Sequence, residues 1–316
     1  MSNTKELEIY FENSLKEIRK IIRSNLKDNN KDVTLLMDKL PAEEGKLVRA
    51  ILVLIGGSFG SIEKQKLLEI SAAIELLHSA TLVHDDIVDE TDTRRGKDTL
   101  HKEYNLKAGL FTGDYLFAQS YVLFSRNCSP ESIYNISETI KYICKSEISQ
   151  YFALNCFDST IRDYLRRING KCASLFALSL SLGAEEGNSN SNITGTLKKI
   201  GYYTGMAFQL IDDLLDISSS SKILGKPTGN DIKQGIYSLP VIYELKCGNA
   251  KLLNFLKDKQ LEEAILLLQN SKGYKKSKEL AKKYTIKALS LVETLPETNE
   301  KLILKQLLKK LFDRNY

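Results

Sequence analysis

The sequence predicts an all-α fold, and three observations carry that prediction. The five prolines, Pro41, Pro130, Pro227, Pro240 and Pro296, stand at element boundaries and never inside an apolar periodic run. Helices need this, since an interior proline costs about 3 kcal/mol. Apolar residues recur at three- and four-residue spacing through most of the chain. Convincing period-2 runs joined by hairpin turns are lacking.

The elements follow in order. Lys46–Phe59 is apolar and closes at Gly60. Gln65–Val88 is long and sets Ile70, Ala73, Ile74, Leu77 and Thr81 on one side. Ala108–Phe124 comes next, then Glu131–Leu154, which opens at Ser129-Pro130. Ser159–Leu182 ends at Gly183, and Leu197–Ile217 follows. Polar spacers, Glu185–Asn192 and Ser218–Ser221, divide some of these. The last third, Leu239–Tyr316, reads as shorter amphipathic helices with many lysines, and Glu300–Phe312 carries leucines at helical spacing. No repeat of solenoid length is present. The expectation is one domain over residues 1–316 with about ten or more helices, residues 1–30 forming an N-terminal helix available for a dimer or partner contact.

Composition bounds the function. With 42% hydrophobic and 27% charged residues the chain can bury a sizeable core. A net charge of +5 without a long basic block gives no reason to expect nucleic-acid binding. The five cysteines are widely spaced and contain no CxxC pair, so neither a zinc site nor a disulfide framework is expected, and a cytoplasmic location is. The charged start, MSNTKELEIYFENSLKEIRK, has no apolar signal core. Ala50–Ile55 is too short to span a bilayer. At most a peripheral membrane contact is expected.

The chemistry concentrates in two DDxxD motifs, Asp85, Asp86, Asp89 and Asp212, Asp213, Asp216, each ending a long apolar helical stretch. Residues four apart share a helix face, so Asp85 with Asp89, and Asp212 with Asp216, can reach one hard cation or a pair of them. Mg²⁺ suits such a set, because it takes a few carboxylates and completes its shell with water and phosphate oxygens. Acids at a helix C-terminus also oppose the macrodipole, which a bound cation would relieve. One DDxxD alone is a common polar helix ending; two copies point to a shared metal site that binds phosphates. Arg94 and Arg95 follow the first motif, and Arg forks match phosphate oxygens. Lys226 follows the second on a Gly225-Lys226-Pro227 turn, with Asp231 beyond as an outer acid. His84, next to Asp85, is a candidate ligand, but is read first as a packing or outer-sphere residue. No Ser/His/Asp or Cys/His nucleophile arrangement is evident.

Taken together these residues resemble the trans-isoprenyl (polyprenyl) diphosphate synthase family. The likeness runs from about Glu44 to the end, through Gly45-Lys46, Arg49, His78, both DDxxD motifs and Arg94-Arg95-Gly96. It continues in Thr112-Gly113-Asp114, Tyr164-Leu165-Arg166-Arg167, Lys171, Phe208-Gln209 and Gly225-Lys226-Pro227. The chain is most similar to the large catalytic component (component II) of two-component hexaprenyl and heptaprenyl diphosphate synthases. The resemblance implies a helical bundle of the isoprenoid synthase type around a central cavity. It implies about three Mg²⁺ ions with substrate bound, held by Asp85, Asp89 and Asp212 with Asp86 and Asp216 in support. Arg94, Lys171, Lys226 and Gln209 would bind the allylic diphosphate, and Lys46, Arg49, His78 and Arg95 isopentenyl diphosphate. Lys171 and Gln209 would also line the developing cation, so that Lys171, Gln209, Asp85 and Asp212 form the catalytic set.

In this family the product runs beside the helix of the first motif. Ala80 and Thr81, five and four residues before Asp85, are small. Leu77 and Ile74 lie further down, at about 1.5 Å per residue. An open elongation tunnel and a hexaprenyl or heptaprenyl product, for quinone side chains, are expected; small residues that merely allow close helix packing would look the same. A geranylgeranyl or other medium-chain synthase is the alternative. A class I terpene cyclase or a non-catalytic partner subunit fits the second DDxxD and the isopentenyl-site residues less well. The partner reading is a homodimer or a heterodimer with a small regulatory subunit. Five positions depart from the family pattern. Leu47 and Ala50 replace the Arg and Pro of Gly-Lys-Arg-x-Arg-Pro, but Lys46 and Arg49 remain, so isopentenyl diphosphate binding is expected to be retained though weaker. Cys172 replaces the threonine after the lysine. Ile236 stands where short-chain relatives carry lysine, and Ser238 replaces a threonine.

Overall fold

The computed structural model describes residues 2–40, 45–94, 96–218 and 229–313, with side chains from residue 11 onward. The fold is all-α. The helices are α1 (Ser2–Leu26), α2 (Lys31–Asp38), α3 (Val48–Gly57), α4 (Lys64–Val88), α5 (Leu100–Glu103), α6 (Leu106–Asn127), α7 (Pro130–Tyr151) and α8 (Ile161–Ile168). A π-helical turn, Asn169–Ala173, leads into α9 (Ser174–Glu186) and α10 (Ser191–Ser218). Then come α11 (Asn230–Lys233), α12 (Leu239–Lys246), α13 (Ala250–Lys257), α14 (Leu261–Gln269), α15 (Lys272–Glu293) and α16 (Asn299–Phe312). The only strands among the described residues are a two-residue antiparallel pair, β1 (Thr93–Arg94) and β2 (Lys97–Asp98).

The chain divides into two compact units. One comprises Met1–Ile136, Ser179–Leu197 and Glu297–Glu300, the other Ser137–Leu178, Lys198–Pro296 and Lys301–Tyr316. In the first, α4 is the central element, packed by α1, α3 and α6. Ile70, Ala73, Ile74, Leu77 and Ala80 on α4 are fully buried. This helix is long and apolar enough to cross a membrane, but 67% of its most apolar stretch is buried inside the protein, as in a core helix. In the second unit, α12 packs on α15, α8 and α13, and α14 packs on α13 and α15. Lys301, almost wholly buried, closes the C-terminus of α15 by donating to the carbonyls of Glu293 (2.9 Å) and Leu295 (3.1 Å).

Three helix N-termini are closed by a buried glutamate from elsewhere in the chain. Glu75 on α4 accepts the Ala50 N–H at the start of α3 (2.9 Å), and Glu186 on α9 accepts the Ser129 N–H before α7 (2.8 Å). Glu244 on α12 accepts the Gly273 N–H in α15 (2.8 Å). The first amides of a helix have no intrahelical acceptor and favour negative charge, so a carboxylate there meets both needs.

Several expected boundaries move, each for a local reason. The expected helix Ser159–Leu182 begins at Ile161 behind the cap Thr160, is interrupted by the π turn, and runs through Gly183 to Glu186. Gly183 is therefore a packing residue, not a stop: a Cβ there would lie 2.1 Å from the Val53 carbonyl oxygen on α3. Likewise α3 ends at Gly57, before Phe59 and Gly60. The Glu185–Asn192 spacer is shorter than read, because Ser191 already begins α10 and Asn190 Oδ1 accepts the Asn192 N–H (2.9 Å). The C-terminal helices are not all short, as α15 has 22 residues.

Candidate functional site

The first acidic motif closes α4, with Asp89 as its C-cap. Asp85 and Asp89 are half-buried, whereas Asp86 is only 7% exposed. The chain then doubles back through β1 and β2, which the sequence did not signal, and lays Arg94 over Asp86. The Arg94 Nε donates to both oxygens of Asp86 (2.7 and 2.9 Å), and its Nη2 lies 2.7 Å from Oδ1. Burying a carboxylate demands such a partner. On the other side of α4, α6 runs antiparallel and close. A Cβ on Gly113 would stand 2.2 Å from the His84 ring, which itself lies 3.4 Å from Asp114 and stacks on Phe117. Gly113 thus allows the close approach of His84, which packs on α6 beside Asp114 and Phe117.

The second motif sits on α10 in the other unit, and its pattern repeats the first. Asp212 is exposed, while Asp213 is 6% exposed. Tyr164 Oη on α8 donates to Asp213 Oδ2 (2.5 Å) and Gln209 Nε2 to its Oδ1 (2.8 Å). Burial pushes the Asp213 carboxyl up to about 6 against the lowering effect of these two donors, with the charges of Asp212 and Asp216 adding to the rise. Burial and then the Asp213 charge hold the Tyr164 hydroxyl well above its ordinary value, so it stays a donor. Asp216 is half-buried and accepts the backbone amides of Asn230 (3.2 Å) and Asp231 (3.3 Å), capping α11. Its carboxyl is raised by burial, and the Asp212 charge adds to this.

Lys171 stands in the π turn opposite α10. Gly205 of α10 meets Ala173, where a Cβ would fall 2.4 Å from the Ala173 Cα, and Phe176 packs on Phe208 at 5.4 Å. This close crossing sets the Lys171 turn beside Phe208 and Gln209. Glu147 on α7 pairs with Lys171 (3.1 Å), both about 28% exposed. A π turn re-aims side chains out of helical register and recurs at functional positions.

Lys46 is exposed and Arg49 half-buried at the start of α3, and His78 is half-buried on α4. Leu47, buried at 4% exposure, adopts left-handed φ 44°. Ala80, Leu77 and Ile74 are fully buried, and Thr81 turns its hydroxyl to the His78 carbonyl (2.8 Å). Arg95 and Lys226, with Gly225 and Pro227, lie outside the described residues. Sequence reasoning passed over three carboxylate contacts: Glu147 with Lys171, Glu75 with Ala50, and Tyr164 with Asp213. The sequence singles out Tyr164, Asp213 and Lys171 without these partners, and Glu75 leaves only the trace of lying one helical turn before His78.

Among the described residues no three His, Cys, Asp or Glu side chains form a preformed metal cage. The donors present are carboxylates in partial sets, which is the chemistry of a hard cation whose shell is completed by water and substrate oxygens.

The sequence model of the polyprenyl synthetase family matches residues 30–282. The heptaprenyl diphosphate synthase component 2 of Bacillus subtilis (strain 168) is 37% identical over 259 residues, covering 80% of this chain and 74% of that protein. The crystal structure of heptaprenyl diphosphate synthase from Staphylococcus aureus superposes with a TM-score of 0.91 at 34% identity, over 96% of this chain and 98% of that one. The polyprenyl synthase from Caulobacter crescentus CB15, complexed with calcium and isoprenyl diphosphate, gives a TM-score of 0.90 at 25% identity, over 98% of each chain.

Proposed function

The chain belongs to the polyprenyl synthetase family, and on that premise we propose that it makes a long-chain all-trans product, hexaprenyl or heptaprenyl diphosphate. It is a trans-prenyl diphosphate synthase and so a prenyltransferase acting on prenyl diphosphates. The proposed reaction is consecutive 1'-4 condensation of isopentenyl diphosphate onto farnesyl or geranyl diphosphate, dependent on Mg²⁺. One observation carries the reading. In both DDxxD motifs the second acid is buried and locked by fixed donors, while Asp85 is half-buried and Asp212 exposed. The locked acids set the helix ends; Asp85, Asp89 and Asp212, with Asp86 and Asp216 in support, are proposed to hold the metal.

Bound Mg²⁺ would draw charge onto the leaving diphosphate, easing ionisation of the allylic C–O bond. The protein's own groups do the rest. Lys171, Arg94 and Lys226 hold that diphosphate. Gln209, its amide nitrogen committed to Asp213, keeps its carbonyl oxygen as the negative end for the developing cation. Lys46, Arg49, His78 and Arg95 hold isopentenyl diphosphate, whose double bond is the nucleophile. The released diphosphate takes the final proton, so no side-chain nucleophile is needed.

The test is elongation by the purified chain from isopentenyl and farnesyl diphosphates with Mg²⁺, products read by mass, with and without a small regulatory partner. Loss of activity in EDTA and its return with Mg²⁺ are expected; no elongation in either arm would defeat the assignment. The partner arm is motivated by the relative named as component 2, and a homodimer is the other assembly consistent with the reading. Ala80→Phe is expected to shorten the product by at least one isoprene unit, because Ala80 is fully buried on the helix proposed to flank the tunnel. An unchanged product profile would remove the tunnel argument. Cytoplasmic location and use in quinone side chains complete the proposal.

A further inference from the structure

We propose that Glu75 is a positioning residue for isopentenyl diphosphate, holding the start of α3 so that Lys46 and Arg49 stand at the substrate. The inference rests on the reading of Lys46, Arg49 and His78 as the isopentenyl diphosphate ligands. Glu75 is a glutamate 5% exposed in the middle of an apolar helix. Such a group costs free energy unless a polar partner compensates it. Its Oε1 accepts the Ala50 N–H at 2.9 Å, and Ala50 is fully buried.

The turn that Glu75 fixes is a strained one. No side chain of its own caps α3, and the residue before its first, Leu47, is buried in the left-handed region at φ 44°. A non-glycine residue holds that conformation only when its surroundings impose it. Lys46 and Arg49 flank Leu47, so the path of this turn sets where both cations point. Glu75 also lies three residues before His78 on α4. One helix therefore carries His78 and the anchor for Lys46 and Arg49.

The position of Ala50 sharpens the argument. The resembling pattern has proline there, which has no N–H, whereas alanine brings a buried donor that needs an acceptor. The first backbone bond of α3 runs from the Ile51 N–H to the Leu47 carbonyl (3.1 Å), so the Ala50 amide has no earlier carbonyl within the helix to reach. Glu75 meets that need.

The experiment measures isopentenyl diphosphate affinity by titration calorimetry on the full chain, with no allylic substrate present. Kinetics and thermal midpoints are followed in parallel. Glu75→Ala is expected to weaken binding about tenfold or more, as an unsatisfied buried amide displaces the turn. The KM for the allylic diphosphate should stay within about twofold of the parent, a split that general damage would not give. Glu75→Gln, which keeps an acceptor oxygen, should stay within about threefold of the parent. In an Ala50→Pro background, Glu75→Ala should cost clearly less than it does in the parent, because the Ala50 N–H no longer needs an acceptor.

Equal losses in the two backgrounds would overturn the proposal, as would a Glu75→Ala protein that folds and binds isopentenyl diphosphate like the parent. If Glu75→Ala alone does not fold, the double variant decides: folding and binding support the proposal, failure of both defeats it. Lys46→Ala and Arg49→Ala separate this from the underlying assignment. If they leave affinity unchanged, the site reading fails; if they weaken it and Glu75→Ala does not, only the positioning role fails.

Discussion

Asp212→Ala is expected to lower kcat/KM for elongation by about a thousandfold or more, since each group stabilising developing charge is worth on the order of 10²–10³ in rate and a metal ligand more. The thermal midpoint should change by no more than about 2 °C, because Asp212 is exposed on α10 and exposed substitutions cost little. Its neighbour supplies the contrast. Asp213→Ala removes the acceptor of Tyr164 Oη and Gln209 Nε2 in a buried setting, and about 1–3 kcal/mol of stability should go with it. Adjacent aspartates of one motif are thus expected to separate, the first affecting rate alone and the second rate and folding together. Steady-state kinetics and thermal denaturation of both variants check this. Asp212→Ala retaining more than a tenth of parental activity would count against the metal-ligand role.

Gly56→Val is expected to destabilise the fold by about 3 kcal/mol or more. A Cβ at Gly56 would stand 2.2 Å from the Leu180 carbonyl oxygen and 3.1 Å from its carbonyl carbon, both backbone atoms of α9. Backbone cannot swing aside as a flexible side chain can, so the helices must part. The opposing Gly183, whose Cβ would meet the Val53 carbonyl at 2.1 Å, leaves no slack on the other side. Gly195 is the control. Nothing lies within 4 Å of a Cβ built there, and it sits inside α10. Gly195→Ala should stabilise by about 0.4–1 kcal/mol through helix propensity. Denaturant unfolding of both variants gives the comparison; a Gly56→Val protein as stable as the parent would show that the α3–α9 crossing is not the constraint inferred.

Local signals carried well from sequence to structure. Proline placement and apolar spacing predicted α4, whose expected start at Gln65 falls one residue from Lys64 and whose end at Val88 coincides. The leucines of Glu300–Phe312 predicted α16 in the same way. Where the reading failed, the deciding contact was distant in sequence. Gly183 reads as a stop to anyone who sees only its neighbours, yet its partner is Val53 on another helix. The π turn at Asn169–Ala173 has no signature in a helical pattern. There Gly170 packs so closely that a Cβ would fall 1.7 Å from Ser146 Oγ on α7.

The candidate site divides along the same line. The sequence by itself determined the all-helical class, the two acidic helix ends and the basic residues between them, because helix periodicity and i,i+4 spacing are local properties of a chain. Only the tertiary structure decided what each acid does. Asp86 lies under Arg94 because a hairpin folds back over it, and Asp213 lies under Tyr164 because α8 crosses α10 there. Nor could spacing show that Glu75 and Glu147 answer to Ala50 and Lys171. A buried carboxylate must find its donor wherever the fold brings one, and that pairing is set by how helices cross.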